Sequence, residues 1–295
     1  MDLQLDDLIA DVVDLVPLPT AYVKIRELIQ SPDSALADVA AVITNDPGLT
    51  SRILRMANSA YLGLAAKVDT VARATQVLGL NQVHDLALAT SAIGALARMD
   101  NPVLDMHMFW RRSIYAAVFS QTLAAHTRSC NPQRIFVCGL LHDVGHLILA
   151  ARAPKILQEL HTLASHSHRG LDVCEREQLG FDYALIGGEL LRSWQLPDAI
   201  HMPVEFHTSP RAVPEPEHTD ATRLVHIAAV VCRAVLSQSA EADPAPEFDP
   251  EVLSAVGLDA DTLGLLMTET DAKVAEAYQL LLPTSAARPT ARVMA

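Results

Sequence analysis

A chain of 295 residues is long enough to bury a sizeable core and to hold two domains or one elongated one. Half of its residues are hydrophobic and only 4% aromatic, so the apolar content is mostly Ala, Leu and Val, which favours helix over sheet. A net charge of −13 against 22 basic residues argues against direct nucleic-acid binding, and four widely spaced cysteines without a C-x-x-C argue against a disulfide framework or a thiolate zinc site.

The first fourteen residues carry five acids and no bases, with Leu3, Leu5, Leu8, Ile9, Val12 and Val13 on one helical face. Val16-Pro-Leu-Pro19 ends that helix, and Thr20 to Gln30 makes a second. Ser31-Pro-Asp-Ser34 reads as a turn whose last serine caps a helix from Ala35 to Ile43. Asp46-Pro47 restarts the chain, with Asp as the N-cap acceptor and Pro at the first helical position, where no amide is needed. The helix that follows, to Tyr61, puts Leu49, Ile53, Met56, Ala57, Ala60 and Leu64 on one side and Arg52, Arg55 and Ser59 elsewhere. Thr70 opens a helix that stops at Gly79, and Asn81 to Arg98 is an Ala-rich helix. These six helices read as a bundle over about residues 1–102, ending at Asp100-Asn-Pro102.

The second half, about residues 103–240, is helical as well. Expected helices run from Asp105 to about Arg128, from an Asn131-Pro132 cap to Arg152, and over Pro154–His168, Leu171–Leu179, Tyr183–Trp194, Pro197–His207 and Thr219–Gln238. No alternating apolar pattern is long enough for a strand. Residues 241–295 hold a Pro-rich acidic linker, a last helix from Asp259 to Leu282 and a tail from 283. His, Asp or Arg interrupts each apolar run before the roughly 18 residues that a spanning helix needs, and the acidic start lacks the basic lead-in of a signal peptide. The expectation is an all-α, cytoplasmic protein without membrane insertion.

The chemistry-bearing stretch is Gly139-Leu-Leu-His-Asp-Val-Gly-His-Leu-Ile-Leu149, where His142 and Asp143 sit side by side inside an apolar run. Together with Val16–Pro19, the block from Asp46 to Gly63, the Ala74 to Gly79 turn, Phe109-Trp110 with Ser113, and Leu190-Leu-Arg-Ser-Trp-Gln-Leu-Pro197, it resembles the HDOD domain, over residues 12–210. HDOD domains are bacterial signalling relatives of the HD-type metal phosphohydrolases. The resemblance implies an N-terminal helical bundle packed on an HD-like helical bundle, and a role in bacterial signalling rather than a known reaction; the leading expectation is a non-catalytic module that acts by binding partner signalling proteins.

An HD-type hydrolase, by the same resemblance, binds divalent metal through a His on one helix, the His-Asp pair, and an Asp on a later helix, and the metal activates water for attack on phosphorus. Here Arg112 stands where the first His would fall and Ala229 where the later Asp would. His146 follows the motif where active relatives often carry Lys, and Tyr183 stands where they often carry His. A lone His-Asp pair offers too few contacts to hold a metal in water. The expectation is therefore no catalytic residue, no metal and no cofactor, with His142 and Asp143 as a remnant pair that hydrogen-bonds within the bundle, Arg112 neutralising Asp143. Three readings stay open beside it. A rearranged metal site would use His142 and His146, four apart on one helix face, with help from His126, His166, His168, His207 or His226. A metal-dependent phosphohydrolase would act on nucleotides or cyclic dinucleotides. A sensor would bind a nucleotide or other anion near Arg112, His142 and Asp143 without turnover. Arg52 and Arg55 beside Asn58 read as a solvated face, and Trp110 and Trp194 as packing anchors.

Overall fold

The computed structural model describes residues 3–31, 33–58, 67–99, 101, 103–236 and 250–282. The end of the helix expected to reach Tyr61, the Asp100 and Pro102 boundary, most of the linker and the tail from 283 lie outside the described residues. Among those described there are sixteen α-helices, a 3-10 turn at Pro216–His218, and no strand. The all-α expectation holds.

The N-terminal helices are α1 (Leu5–Leu15), α2 (Thr20–Gln30), α3 (Leu36–Thr44), α4 (Pro47–Ala57), α5 (Val71–Leu78) and α6 (Leu80–Leu96). Capping chemistry sets several of their ends. Asp46 Oδ1 accepts the Leu49 amide at 2.9 Å with Pro47 at the first helical position, and Thr70 Oγ1 accepts the Arg73 amide at 3.2 Å. Gly79 has φ 81 and ψ 165, a region that only glycine enters without penalty, so α5 turns into α6 with no intervening loop. Ser34 is not the cap of α3. Ala35 holds that position, and its own amide donates to Asp38 at 2.8 Å, so the first turn is closed from inside the helix. The apolar face expected on α4 is buried at Leu49, Ile53, Met56 and Ala57, roughly 1.5–3 kcal/mol for each large side chain.

Helices α2 to α6 pack on one another, but α1 does not join them as expected; it crosses to the second bundle and lies against α9 and α12. That bundle comprises α7 (Met106–Thr127), α8 (Pro132–Leu141), α9 (Val144–Arg152), α10 (Pro154–Ser167), α11 (Leu171–Leu179), α12 (Tyr183–Ser193), α13 (Asp198–Phe206) and α14 (Thr219–Leu236). The seam between the bundles is made by α6 on α8 and by Trp194, whose indole N–H donates to Val16 O at 3.2 Å while Arg26 donates to Trp194 O at 2.6 Å. Trp194 is thus the packing anchor expected of it, and it joins two of the sequence blocks that carry the family resemblance. After α15 (Pro250–Ala255), α16 (Ala260–Leu281) docks along α7 and reaches α4.

The helix expected to run unbroken from Pro132 to Arg152 is two helices. It turns at His142 and Asp143, the latter at φ −99 and ψ 6, and the His146 amide closes the turn on Asp143 O at 3.1 Å. An 18-residue window within the 21-residue segment has mean hydropathy 1.5 and would pass as a membrane span by length and composition, yet 83% of that window is buried inside the fold. Two glycines fix its position. A Cβ on Gly139 would lie 2.7 Å from Ala116 O on α7, and one on Gly145 would lie 1.9 Å from Tyr183 O on α12. The turn is therefore clamped between two helices at backbone contact, with His142 and Asp143 at the crossing.

Candidate functional site

Helices α7, α9, α10, α11, α12 and α14 and the α8–α9 turn surround a cavity of about 210 Å³ whose wall includes Arg112, His142, Asp143, His146, Ala229 and Arg233. The positions that the resemblance assigned to a metal centre do converge: Arg112 and Ala229, far apart in sequence, face the His-Asp pair across one small space. His161, Ser165, Tyr183 and Cys232 complete much of the lining. His126, His166 and His168 are exposed and line no part of it.

His142 donates Nδ1–H to Gly139 O at 2.7 Å, leaving Nε2 as the second nitrogen of a neutral ring, the tautomer and orientation a metal ligand would adopt. Burial, helped by the charges of Arg112 and His146, pushes its pKa below the ordinary imidazole value. Asp143 does not fit the role of ligand. Its Oδ1 accepts from His146 Nδ1 at 2.5 Å and its Oδ2 faces Arg112 at 3.5 Å. Burial works to raise this carboxyl, but His146 and Arg112 outweigh it and hold its pKa well below the usual range. Asp143 is thus ionised and already bracketed by two cations.

His146 is the centre of the arrangement. Its Nδ1–H points to Asp143 and its Nε2–H to Glu175 Oε1 at 3.0 Å, while the Tyr183 ring stacks on it at a centroid distance of 3.8 Å. Burial disfavours the charged ring, but Glu175 and Asp143 prevail and push its pKa up to about 9. An imidazolium against an aromatic face gains cation–π stabilisation besides. Glu175 is fully buried, and its other oxygen accepts the Tyr183 amide at 2.8 Å. The Tyr183 hydroxyl donates to His207 Nε2 at 2.9 Å, and His207 Nδ1–H donates to Val204 O at 2.6 Å. His226 donates to the His207 carbonyl at 2.7 Å.

Two corrections follow for the rearranged metal site. His142 and His146 lie on either side of the helix break rather than on one helix face. Both nitrogens of His146 are engaged by carboxylates and carry protons, so it has no lone pair for a metal. The metal of an HD-type centre does not fit these residues: of the four ligand positions, one is a cation, one is a methyl group, and the aspartate is closed by two cations.

Residues 15–210 match the family model of the HDOD domain. The chain belongs to the HDOD family. Among relatives, it is 26% identical over 212 residues to an "Uncharacterized protein" of Treponema pallidum (strain Nichols), which covers 70% of this chain but 40% of that one. The chain therefore spans less than half the length of this curated relative. In fold it resembles a "Putative phosphohydrolase" from Shewanella amazonensis SB2B, with a TM-score of 0.70 and 23% identity over 93% of this chain and 98% of the other. It also resembles a "Putative signal transduction protein" from Marinobacter aquaeolei VT8, with a TM-score of 0.68 and 25% identity over 95% of this chain and 62% of the other.

Glu175 and Arg233 are site residues that the sequence reading missed. Glu175 sits in Asp172-Val-Cys-Glu-Arg-Glu-Gln178 among other charged residues, half-buried Asp172 and Arg176 and exposed Glu177, and only its adjacency to the buried Cys174 hints that it faces inward.

Proposed function

We propose that this HDOD protein is a non-catalytic module of bacterial signal transduction that works by binding partner proteins in the cytoplasm, and that its His-Asp pair now stabilises the fold. The observation that carries the reading is the closure of Asp143 by His146 and Arg112. A hydrolytic metal would have to displace both cations and leave Glu175 buried against a neutral ring, a cost of several kcal/mol before any bond to the metal forms. The cavity supports the same view. At about 210 Å³ it lies below the roughly 300–1,000 Å³ of ordinary small-molecule sites and is too small to enclose a cyclic dinucleotide.

Partner contact is favoured by the seam between the bundles, where Val16, Pro17, Ala95, Arg98, Met99 and Arg152 line a groove of about 570 Å³. Its mixture of apolar and basic groups stands out on a chain whose net charge is −13. A second reading, an anion sensor without turnover, is favoured by Arg112 and Arg233 on the wall of the same cavity.

The test pairs an affinity capture from the native host with phosphodiesterase and phosphatase assays in Mn²⁺, Mg²⁺ and Zn²⁺. Specific protein partners without turnover are expected, and Asp143→Asn retains them if it folds. Metal-dependent hydrolysis that Asp143→Asn abolishes would overturn the proposal. A thermal shift with phosphate or nucleotides, removed by Arg112→Ala, would move the case to the sensor.

A further inference from the structure

Outside the cavity, two acid–histidine pairs with the same spacing meet: Asp198-x-x-His201 opening α13, and Glu215-x-x-His218 ending in the 3-10 turn. The loop between α13 and α14 folds back and brings donor atoms of Asp198, Glu215 and His218 within 4.8 Å of one another. His218 is only 7% exposed, and its Nε2 is sealed from solvent without a hydrogen bond. Glu215 Oε2 at 3.3 Å and Glu217 Oε1 at 3.4 Å lie at ion-pair distance from that nitrogen without hydrogen-bonding to it. A sealed ring nitrogen with two carboxylates at ion-pair distance and no hydrogen bond to either is an uncompensated cost.

We propose that Asp198, Glu215 and His218 form a binding site for one divalent transition ion of the Zn²⁺ class. The donor set fits. One imidazole and two carboxylates are borderline ligands that suit Zn²⁺, Co²⁺ or Mn²⁺ more than Ca²⁺, and two carboxylates balance the ionic charge. Ligand bonds of about 2.0–2.2 Å place donors roughly 3–4 Å apart, so the present spacing needs only small inward movements. The two carboxylates can make them, since the Asp198 side chain is 62% exposed and that of Glu215 is 46% exposed. His201 supplies the outer support: its Nε2–H donates to Asp198 Oδ1 at 2.9 Å, which aims the carboxylate and keeps its other oxygen for the ion. Glu217 stands on the rim as a further oxygen donor. Among the described residues, the ion-pair partners of Asp198, Glu215 and Glu217 are these imidazoles alone, so no Lys or Arg neutralises the cluster. The ion would tie the start of α13 to the entry of α14 across the loop that follows His207, and so brace α14, one wall of the cavity.

The site is separate from the His-Asp cavity, and the experiment keeps the two apart. Zn²⁺ binding to the untagged full-length chain is measured by equilibrium dialysis with elemental analysis, and Co²⁺ absorption reports the ligand field. Expected is one ion per chain, with Glu215→Gln and His218→Gln each weakening affinity by about 10-fold or more and Asp143→Asn leaving it unchanged. Because His218 is buried and its variant could fail to fold, Glu215→Gln on the rim decides alone if needed. Zn²⁺ should also raise the thermal midpoint of wild type but not of Glu215→Gln. No bound ion at about 100 µM free Zn²⁺, or binding that survives Glu215→Gln but is lost in Asp143→Asn, would overturn the proposal.

Discussion

Replacing Asp143 by Asn removes one charge from the buried cluster while keeping its shape. His146 then loses one of its two carboxylates, and the Arg112 guanidinium loses its ion pair with Asp143. Breaking one side of a buried ion pair costs about 3–5 kcal/mol; Arg112, 38% exposed, recovers hydration on its own, so a loss of about 2–4 kcal/mol is expected at neutral pH. The pH dependence carries the diagnostic part. His146 has its pKa raised from 6.5 to about 9 on folding, so its contribution is full below pH 6.5, declines as pH rises and is gone above about 9. At about 1.4 kcal/mol per pH unit that window corresponds to an order of 3 kcal/mol. Asp143 behaves in the opposite sense: its lowered pKa stabilises the fold above the ordinary carboxylate range, and that contribution is lost as pH falls below it. Urea denaturation from pH 4 to 10 would show wild-type stability declining between about 6.5 and 9, and a smaller decline, starting from a lower plateau, in Asp143→Asn. A wild-type profile flat over that window, or a variant as stable as wild type, would refute the assignment of His146 as a buried imidazolium.

Glu175→Gln should lose about 2–4 kcal/mol in the same titration, because a fully buried carboxylate holds both the His146 ring and the Tyr183 amide. Gly145→Ala should destabilise by more than about 3 kcal/mol, or fail to fold, since its Cβ would stand 1.9 Å from Tyr183 O and force α9 from α12; circular dichroism with a thermal scan reads this out. Trp194→Phe removes the indole donor to Val16 while leaving most of the packing, so a loss of about 1 kcal/mol is expected, with limited proteolysis between α1 and α2 as the check. Equal cleavage of variant and wild type would count against Trp194 as the clasp of the seam.

Much of the fold was legible because its signals are local. Asp46, Thr70 and Asn131 announce helix starts through one acceptor atom each, and Gly79 announces a stop through its missing Cβ. The failures share a different cause. The break at His142–Asp143 lies in an apolar run with no proline, and what bends it is the backbone contact of Gly139 with α7 and Gly145 with α12, partners far away in the chain. The path of α1 is likewise decided by which bundle offers a matching face, which its own periodicity cannot say.

The site divides along the same line. Arg112, His142, Asp143 and Ala229 could be aligned with an inherited ligand pattern, and the fold does bring them to one cavity. Yet the pattern records only which ligands are missing. What occupies the aspartate is set by His146, and His146 is set by Glu175, a residue that the sequence places among other charged residues on α11. An arginine in place of one ligand could by itself leave Asp143 with one oxygen for a metal. The second cation closes the other, and a buried histidine is a cation only because a second carboxylate lies behind it. Glu175 therefore weighs more against a metal in this cavity than the two lost ligands do, because it turns His146 from a would-be donor of electrons into a donor of protons.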